Sequence, residues 1–272
     1  MDVKFGFTLQ NLIDEGRVVK EDVDKLKSVL KTKLSDELLA IFLISCDHQH
    51  DLAKVTISNY FKYRQMVPEI FSDRDITNHR LQNVLHVGVY AVLPKRTPDN
   101  CSVVITKLQD TDYRKADLES SCKMKCMVLD LLTYFDPPDG LITIVDLEGI
   151  NFMHLTVIKI RILEMFMRYV QEGLPLKLKN VHVFNSGYVV RSIYNLCKPF
   201  LKNEIKKLAR FVYINVDMDW FHKTWIAKEL LPEEYGGDLP SVMVHHSNTA
   251  QQVALLHTYF ETDERQTRDY VQ

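Results

Sequence analysis

The sequence predicts an α/β fold in which a three-helix bundle precedes a domain built on a β-sheet. Apolar residues recur at helical spacing from residue 21 to about residue 71, and this stretch lacks strand signals. After His79, short apolar runs alternate with helical segments, which is typical of strands covered by helices. The runs at 141–146 and 181–184 flank one long helical segment, and this order favours parallel strands joined by a right-handed crossover.

The N-terminal bundle is predicted from two apolar stripes and a proline. The stripes consist of Val23, Leu26, Val29 and Leu30, followed by Leu34, Leu38, Leu39, Phe42 and Leu43. Ser35 is expected to cap the second helix, because its side-chain oxygen can accept a hydrogen bond from an N–H of the first turn. The third helix spans 51–65 and ends before Pro68. We therefore place a helical domain at residues 1–75.

The main domain is expected at residues 76–245, followed by a helical tail at 246–272. Its predicted strands lie at 87–93, 102–107, 141–146 and 181–184, and its predicted helices lie at 116–135, 153–171 and 188–197. A lysine-rich helix is expected after the last of these.

Composition and charge limit the classes of function. The 272 residues carry a net charge of -2, whereas a general nucleic-acid binder needs a basic excess, so no nucleic-acid partner is expected. The sequence has no run of about 18 uncharged apolar residues, so no membrane-spanning segment is predicted. Five scattered cysteines, an odd number, favour reduced thiols. The expected location is the cytoplasm, with transient peripheral contact with membranes.

Motifs of common enzyme classes do not occur in the sequence. It contains no G-x-S-x-G, H-E-x-x-H, P-loop or G-x-G-x-x-G pattern. Asp146 and Glu148, at the end of a strand, allow two interpretations. A carboxylate there can act as a general base, although such residues more often hold a loop or cap a helix. We predict that the protein is not an enzyme and uses no cofactor and no metal.

The helix predicted at 153–171 has a wide apolar arc. Its main face consists of Leu155, Ile158, Ile162, Met165, Phe166, Tyr169 and Val170. An arc of this width can contact a sheet on one side and a second apolar surface on the other. It fits either a core helix packed twice or the wall of a lipid cavity. The helix at 188–197 fits either a helix that covers the sheet or a mobile lid.

A basic stripe follows this second helix. Lys198, Lys202, Lys206 and Arg210 are spaced four residues apart, so on a helix they lie along one face beside an apolar stripe. Such a pair of stripes suits anionic lipid headgroups. The alternative is a solvated helix face. Lys177 and Lys179, just upstream, favour the membrane interpretation.

Together these segments resemble the CRAL-TRIO family, which includes retinal-binding, tocopherol-transfer and phosphatidylinositol-transfer proteins. Five segments carry the resemblance: YFKYRQMVPEIF at 60–71, DLEG at 146–149, PLKLKNVHVFN at 175–185, KPFL at 198–201 and LPEEYGG at 231–237. The resemblance covers roughly residues 20–240 and is strongest to the tocopherol-transfer and retinal-binding branch. It implies a mixed sheet floor, surrounding helices and a mobile gate helix at 188–201 that opens at membranes.

The resemblance also implies site residues. The expected cavity-lining residues are Met127, Leu141, Val145, Phe152, Ile158, Ile162, Phe166, Tyr169, Val170, Leu178 and Val181, with Val190, Ile193, Cys197 and Leu201 on the gate. The expected phosphoinositide and membrane contacts are Arg64, Lys177, Lys179, Lys202, Lys206, Lys207 and Arg210. Glu204 and Leu208 stand where relatives have cations. Lys123 stands where a tocopherol carrier has a pocket serine, so the identity of the ligand stays open.

Two functions follow from the resemblance. The first is a cytosolic lipid-transfer protein that encloses a small hydrophobic ligand and exchanges it at phosphoinositide-containing membranes. A tocopherol-like ligand is expected first and a retinoid second. The alternative is a phosphoinositide-sensing scaffold for regulation or trafficking that transfers no lipid. An almost wholly apolar, closed cavity would favour a tocopherol-like ligand, and polar residues scattered through it would favour the scaffold or a phospholipid ligand.

Overall fold

A computed structural model describes residues 3–30, 33–185, 187–211 and 217–270, so the last two residues of the predicted tail lie outside it. The helices are α1 (Leu9–Asp14), α2 (Lys20–Val29), α3 (Asp36–Ser45), α4 (His50–Met66), α5 (Pro68–Phe71), α6 (His79–Val87), α7 (Leu118–Phe135), α8 (Phe152–Thr156), α9 (Ile160–Glu172), α10 (Val190–Cys197), α11 (Asn203–Leu208), α12 (Met218–Thr224), α13 (Val242–Ala254) and α14 (His257–Asp269). The strands are β1 (Gly88–Val92), β2 (Cys101–Leu108), β3 (Gly140–Asp146), β4 (Leu178–Phe184) and β5 (Ala209–Phe211). The predicted α/β fold with a helical N-terminal region is confirmed.

The N-terminal helices form for the reasons that the sequence suggested. The Ser35 hydroxyl accepts a hydrogen bond from the Leu38 N–H at 3.3 Å and caps α3. Every residue from Leu38 to Ile44 is buried, so α3 is the central helix of the bundle. Pro68 ends α4 and begins the short helix α5, since proline is tolerated only in the first turn of a helix.

The sheet has the strand order β1-β2-β3-β4-β5. β1 and β2 are antiparallel, and the other three neighbouring pairs are parallel. The predicted parallel pairing of β3 and β4 is therefore confirmed. β4 begins three residues before the predicted strand and contains an irregularity at Lys179, because Leu141 pairs with Leu178 whereas Ile142 pairs with Asn180.

The two faces of the sheet lie in different surroundings. Alternate residues such as Ile142, Ile144 and Phe184 pack against Phe221 of α12 in an apolar layer behind the sheet. The residues between them face forward toward α7, α9 and α10. Because side chains alternate along a strand, each central strand contributes to two separate cores. The forward face is the floor of the site described below.

Two predicted helices differ from the structure. The helix expected at 153–171 is divided into α8 and α9 by residues 157–159. The lysine-rich helix is also interrupted: Lys198 lies in a 3-10 helix at Lys198–Phe200, Lys206 lies in α11, and Arg210 lies in β5. The four cations therefore do not share one helix face. A spacing of four residues defines a stripe only where the helix is continuous.

The LPEEYGG segment at 231–237 stabilises the apolar layer behind the sheet. A Cβ atom on Gly237 would lie 1.8 Å from the Leu231 carbonyl oxygen, so only glycine fits there. The Tyr235 hydroxyl donates a hydrogen bond to Asp146 at 2.9 Å. The Glu234 carboxylate accepts hydrogen bonds from the Val242 N–H at the start of α13. The motif therefore connects the end of β3 to the C-terminal helices through hydrogen bonds.

A buried arginine–aspartate network, defined as Arg64, Arg74, Asp130 and Asp263, joins the N-terminal helices to α7 and α14. Arg64 pairs with Asp130 at 2.5 Å and with Asp263. Arg74 pairs with the same two carboxylates at 2.9 and 2.5 Å. All four side chains are at most 3% exposed. Burial opposes ionisation of Asp263, but the two guanidinium groups outweigh it and hold the pKa of Asp263 below its usual value.

Candidate functional site

A cavity of about 340 Å³ lies between the floor of the sheet and the helices in front of it. The floor contributes Tyr90, Val104, Thr106, Leu141, Thr143, Val145, Leu178, Val181, Val183 and Ala209. Helices α7 and α9, with the residue after β3, contribute Leu118, Cys122, Lys125, Val128, Leu129, Leu147, Leu163, Phe166, Met167, Val170 and Gln171. The gate and α11 contribute Val190, Ile193, Tyr194, Cys197, Leu201 and Ile205. Pockets that bind small molecules are typically lined in this way by apolar side chains with a few polar groups.

Ten of the fifteen predicted cavity residues lie on this wall. They are Leu141, Val145, Phe166, Val170, Leu178, Val181, Val190, Ile193, Cys197 and Leu201. Nine of them lie on β3, α9, β4 and α10, and Leu201 follows the 3-10 turn after α10. The strand residues among them all line the same side of the sheet. Leu141 and Val145 do so by alternation, and Leu178 and Val181 do so because of the irregularity at Lys179. Their contact with a ligand stays a prediction.

Five predicted residues do not line the cavity. Met127, Ile162 and Tyr169 are buried in the core that α7 and α9 share with the N-terminal helices. Phe152 is 51% exposed, with its ring 5.4 Å from the Tyr188 ring. Ile158 lies in the break between α8 and α9. Some residues of the apolar arc at 153–171 thus pack in the core shared with the N-terminal helices, and others line the cavity. Each of the two interpretations, core helix and cavity wall, therefore applies to part of the segment.

Lys125 is a wall residue that the sequence analysis missed. The expected polar substitution was Lys123, but the Lys123 ammonium donates to the backbone oxygens of Ser72 and Asp73, away from the cavity. Lys125 instead lies on the stripe formed by Leu118, Cys122 and Val128. These residues recur at intervals of four, three and three, which is helical spacing. The signal was present in the sequence as a cation that interrupts an apolar stripe.

The two thiols on the wall are not activated. Burial raises the pKa of Cys122 to about 12, although the charge of Lys125 acts in the opposite direction. Burial likewise raises the pKa of Cys197, again against Lys125. A thiol in this state stays protonated at neutral pH and is a poor nucleophile. In the part of the chain that the structure describes, no cluster of three or more His, Cys, Asp or Glu residues is placed to bind a metal.

The carboxylates at the end of β3 hold loops. Asp146 accepts hydrogen bonds from the Glu148 N–H at 2.9 Å and the Asn185 side-chain amide at 2.7 Å. Glu148 pairs with Lys107 at 2.7 Å. Asn185 has a φ of 51° and directly precedes the gate region. Of the two interpretations of Asp146, the loop-holding one fits these contacts, and the loop it holds leads into the gate.

The gate comprises α10, the 3-10 turn Lys198–Phe200 and the following residue, Leu201. None of the residues of α10 is buried. The C-terminal end of the gate is held by Gln171 of α9, whose side-chain amide donates to the Phe200 carbonyl oxygen at 2.9 Å. The Gln171 side-chain oxygen accepts from the Lys202 N–H at 2.8 Å, and the Lys202 ammonium pairs with Glu172 at 3.0 Å. We call Gln171 and its two backbone partners the gate latch.

Most of the predicted membrane cations have partners within the fold. The prediction for Arg64 was wrong, because its side chain is fully buried in the arginine–aspartate network. Lys177 pairs with Asp47 after α3, and Arg210 lies over the Trp225 ring at 5.2 Å. The stem of Lys179 lies against Gly140.

The remaining cations lie on α11. Lys207 is exposed and Lys206 is partly exposed. Among the described residues, the Lys206 ammonium makes a long contact of 3.4 Å with the Asn203 side-chain oxygen. These two lysines have no carboxylate partner within 4.0 Å in the described part of the chain.

An exposed apolar group lies beside the start of the gate. It consists of Phe152, Met153, Val157, Ile160 and Tyr188, which are 38% to 73% exposed. The contact between the Phe152 and Tyr188 rings joins α8 to the segment that enters α10. Large apolar side chains clustered on a surface are typical of sites that bind proteins or membranes. No helix within the described ranges has the length and apolar character needed to cross a bilayer.

Comparison with known families matches this geometry. Residues 86–237, more than half of the chain, match the family model described as the CRAL/TRIO domain. The chain belongs to the CRAL/TRIO domain family. CRAL-TRIO proteins bind small hydrophobic ligands, and the family acts in lipid binding and transfer. Residues 18–81 match a second model, described as a Pinta-like UBA domain.

Individual relatives are more distant. The chain is 26% identical over 223 residues to an alpha-tocopherol transfer protein-like protein of Mus musculus, covering 81% of this chain and 64% of that one. It is 24% identical over 235 residues to Clavesin-1 of Rattus norvegicus, covering 82% and 65%. The chain therefore spans about two thirds of the length of these relatives. The crystal structure of Sfh5 aligns with a TM-score of 0.52 at 14% identity, covering 90% of this chain and 82% of that one, which shows a shared fold.

Proposed function

We propose that this CRAL-TRIO protein is a lipid-transfer protein that encloses one small hydrophobic molecule and exchanges it at membranes through the gate. The observation that carries the proposal is the cavity itself. Five residues of the gate segment, Val190, Ile193, Tyr194, Cys197 and Leu201, form one side of it, and the sheet floor forms the other. A tocopherol-like or retinoid-like molecule is the ligand class that the family resemblance favours.

The physical argument concerns release. Burying apolar surface stabilises a bound ligand by about 25 cal/mol per Å², so a ligand enclosed on all sides leaves slowly unless the wall moves. The gate is a loosely packed part of the wall, since none of the residues of α10 is buried. Opening the gate against a bilayer would transfer the ligand from one apolar environment to another and would avoid its exposure to water.

Membrane contact is proposed at the exposed apolar group and at α11. Phe152 and Tyr188 lie at the entrance to the gate, and Lys206 and Lys207 lie after its end. Apolar side chains inserted at the headgroup level and cations near anionic lipids both strengthen peripheral binding. We propose that these two groups hold the gate against phosphoinositide-containing membranes. Vesicles of defined composition test the preference for phosphoinositide headgroups.

The proposal is tested by transfer of α-tocopherol and of retinol between donor and acceptor vesicles, with and without phosphatidylinositol 4,5-bisphosphate. We expect transfer by the wild-type chain and its loss in Ile193→Asp, which places a charge on the cavity side of the gate. Asn195→Asp adds the same charge to the exposed side of α10 and should transfer normally. Vesicle binding without transfer of any hydrophobic ligand would contradict the carrier function and favour the scaffold.

A further inference from the structure

We infer that Lys125 recognises an anionic headgroup, so that the ligand is an amphiphile whose apolar tail ends in a carboxylate. This inference rests on the proposed carrier function and specifies its ligand class. Lys125 is the only charged side chain among the described residues that line the cavity. The surrounding α7 residues Leu118, Cys122, Val128 and Leu129 are all uncharged and face the same space.

The position of the ammonium group follows from its neighbours. Lys125 Nζ lies 6.0 Å from the centroid of the Phe166 ring on α9. Its charge acts on the thiols of both Cys122, one turn earlier on α7, and Cys197, at the end of α10. The ammonium therefore lies between α7, α9 and the C-terminal end of the gate. A ligand held there would place its head beside the moving part of the wall.

Lys125 lacks the partners that other lysines of this region have. Within the described residues, no carboxylate oxygen lies within 4.0 Å of its Nζ and it donates no hydrogen bond. By contrast, Lys123 on the same helix donates to backbone oxygens, and Lys159 at the start of α9 pairs with Glu119 at 2.7 Å. Among the described residues, the Phe166 ring supplies only a weak attraction to the Lys125 ammonium.

An unpaired cation is costly once a ligand fills the cavity. An apolar tail displaces water from the ammonium group, and an isolated charge in apolar surroundings is strongly unfavourable. A ligand that brings a negative charge removes this cost and adds a charge-assisted hydrogen bond. A neutral molecule such as an alcohol supplies a weaker acceptor. The wall is therefore more complementary to an acid than to the corresponding alcohol.

Charge and volume favour a carboxylate. One lysine neutralises one negative charge, whereas a phosphate monoester carries about -1.5 to -2 charges at neutral pH and would leave part of its charge buried and unpaired. The cavity of about 340 Å³ also lies near the lower end of the range of roughly 300 to 1,000 Å³ for small-molecule sites. A single-chain fatty acid and a retinoid acid share the required chemistry.

The test measures binding of four probes to the full chain: oleate, oleyl alcohol, all-trans retinoate and retinol. Each acid has the same tail as its alcohol, so the affinity ratio isolates the headgroup. We expect wild type to bind at least one acid about tenfold or more tightly than its alcohol, as expected for a hydrogen bond between charged groups. Lys125→Met keeps the apolar stem and should bring the affinity ratio of acid to alcohol close to one. Lys123→Met, on the same helix, should preserve it.

The outcomes separate this inference from the carrier function. If wild type binds the alcohols as well as the acids, or if Lys125→Met keeps the preference for the acid, Lys125 does not recognise a headgroup while the carrier function stands. If neither the acids, the alcohols nor α-tocopherol binds, the carrier function itself is contradicted. Preference for oleate over oleyl alcohol identifies a fatty acid, and preference for retinoate over retinol identifies a retinoid acid. Since every variant is compared with itself across probes, partial unfolding does not change the ratio.

Discussion

The two walls of the cavity are held in opposite ways. Behind α7 and α9, the arginine–aspartate network joins four chain segments through fully buried charges. On the other side, α10 has no buried residue and its C-terminal end is held by the gate latch of Gln171. We propose that the first wall is part of the folded core and that the gate moves without unfolding it. Local opening is expected where few apolar contacts are buried.

The largest expected effect comes from breaking the rigid wall. Arg64→Met leaves Asp130 and Asp263 with Arg74 as their remaining arginine partner, and removal of one partner of a buried ion pair typically costs about 3 to 5 kcal/mol. Urea unfolding should show a loss of this size in the free energy of unfolding. Arg114→Met, which removes an exposed pair with Asp112, should remain close to wild type. Equal stabilities of the two variants would show that the network does not hold the wall.

The second effect tests the layer behind the floor. His182 is fully buried between Phe221 and Trp225, and burial, assisted by the charge of Arg210, lowers its pKa to about 4 from 6.5. Its neutral form is favoured in the fold, so stability should fall as the pH decreases from about 6.5 to about 4. The loss from this group is about 3 kcal/mol.

The measurement is the free energy of unfolding as a function of pH for His182→Leu. This variant should flatten the decline between pH 6.5 and 4, whereas His79→Leu, at an exposed position, should retain it. An unchanged slope in His182→Leu would mean that another group causes the loss. Because His182 faces away from the cavity, this measurement reports on the stability of the sheet floor and not on motion of the gate.

The third effect concerns membrane binding by Lys206 and Lys207 of α11. Lys206→Glu/Lys207→Glu should weaken binding to vesicles containing phosphatidylinositol 4,5-bisphosphate by about 2 kcal/mol or more, since each cation near an anionic surface contributes about 1 kcal/mol. Lys25→Glu/Lys54→Glu changes the net charge equally on exposed N-terminal helices and should bind nearly as wild type. Sedimentation with vesicles at low salt measures both. Equal losses would indicate an effect of net charge instead of a local patch.

The smallest expected effect comes from removing the hydrogen bonds of the gate latch. Gln171→Leu removes the hydrogen bonds to Phe200 and Lys202, so amide exchange across the gate should accelerate about tenfold while global unfolding changes little. Gln65→Leu is the matched control, because the Gln65 amide makes similar bonds to the carbonyl oxygens of Thr267 and Tyr270 near the C-terminus. It should leave gate exchange unchanged. Hydrogen exchange read by mass spectrometry resolves the two regions.

Much of this contrast could be predicted from local sequence patterns. The Ser35 cap and the parallel β3–β4 pair depend on spacing within one or two elements, whereas the cavity-facing residues of α10 were implied by the family resemblance. The burial of Arg64 could not be predicted in this way. Its acidic partners are 66 and 199 residues away in sequence, and only the tertiary fold brings them together.

The errors have a common physical origin. The lysine stripe has helical spacing, but Arg210 belongs to β5, a three-residue strand that pairs with β4. The arc at 153–171 looked continuous, but residues 157–159 interrupt it. Lys125 was detectable, since it interrupts an apolar stripe on α7. A polar residue inside an apolar pattern is the signal that local analysis should retain as a candidate site.

The central claim is that the cavity behind the gate holds one hydrophobic molecule. Native mass spectrometry of the full chain with α-tocopherol, retinol, oleate and retinoate tests it most directly. We expect one adduct of one-to-one stoichiometry with wild type and its loss in Val145→Trp, which fills the cavity from the floor. Val244→Trp makes the same exchange at a side chain that is 47% exposed and should keep the adduct. An adduct that survives Val145→Trp, or no adduct with any of the four ligands, would contradict the account.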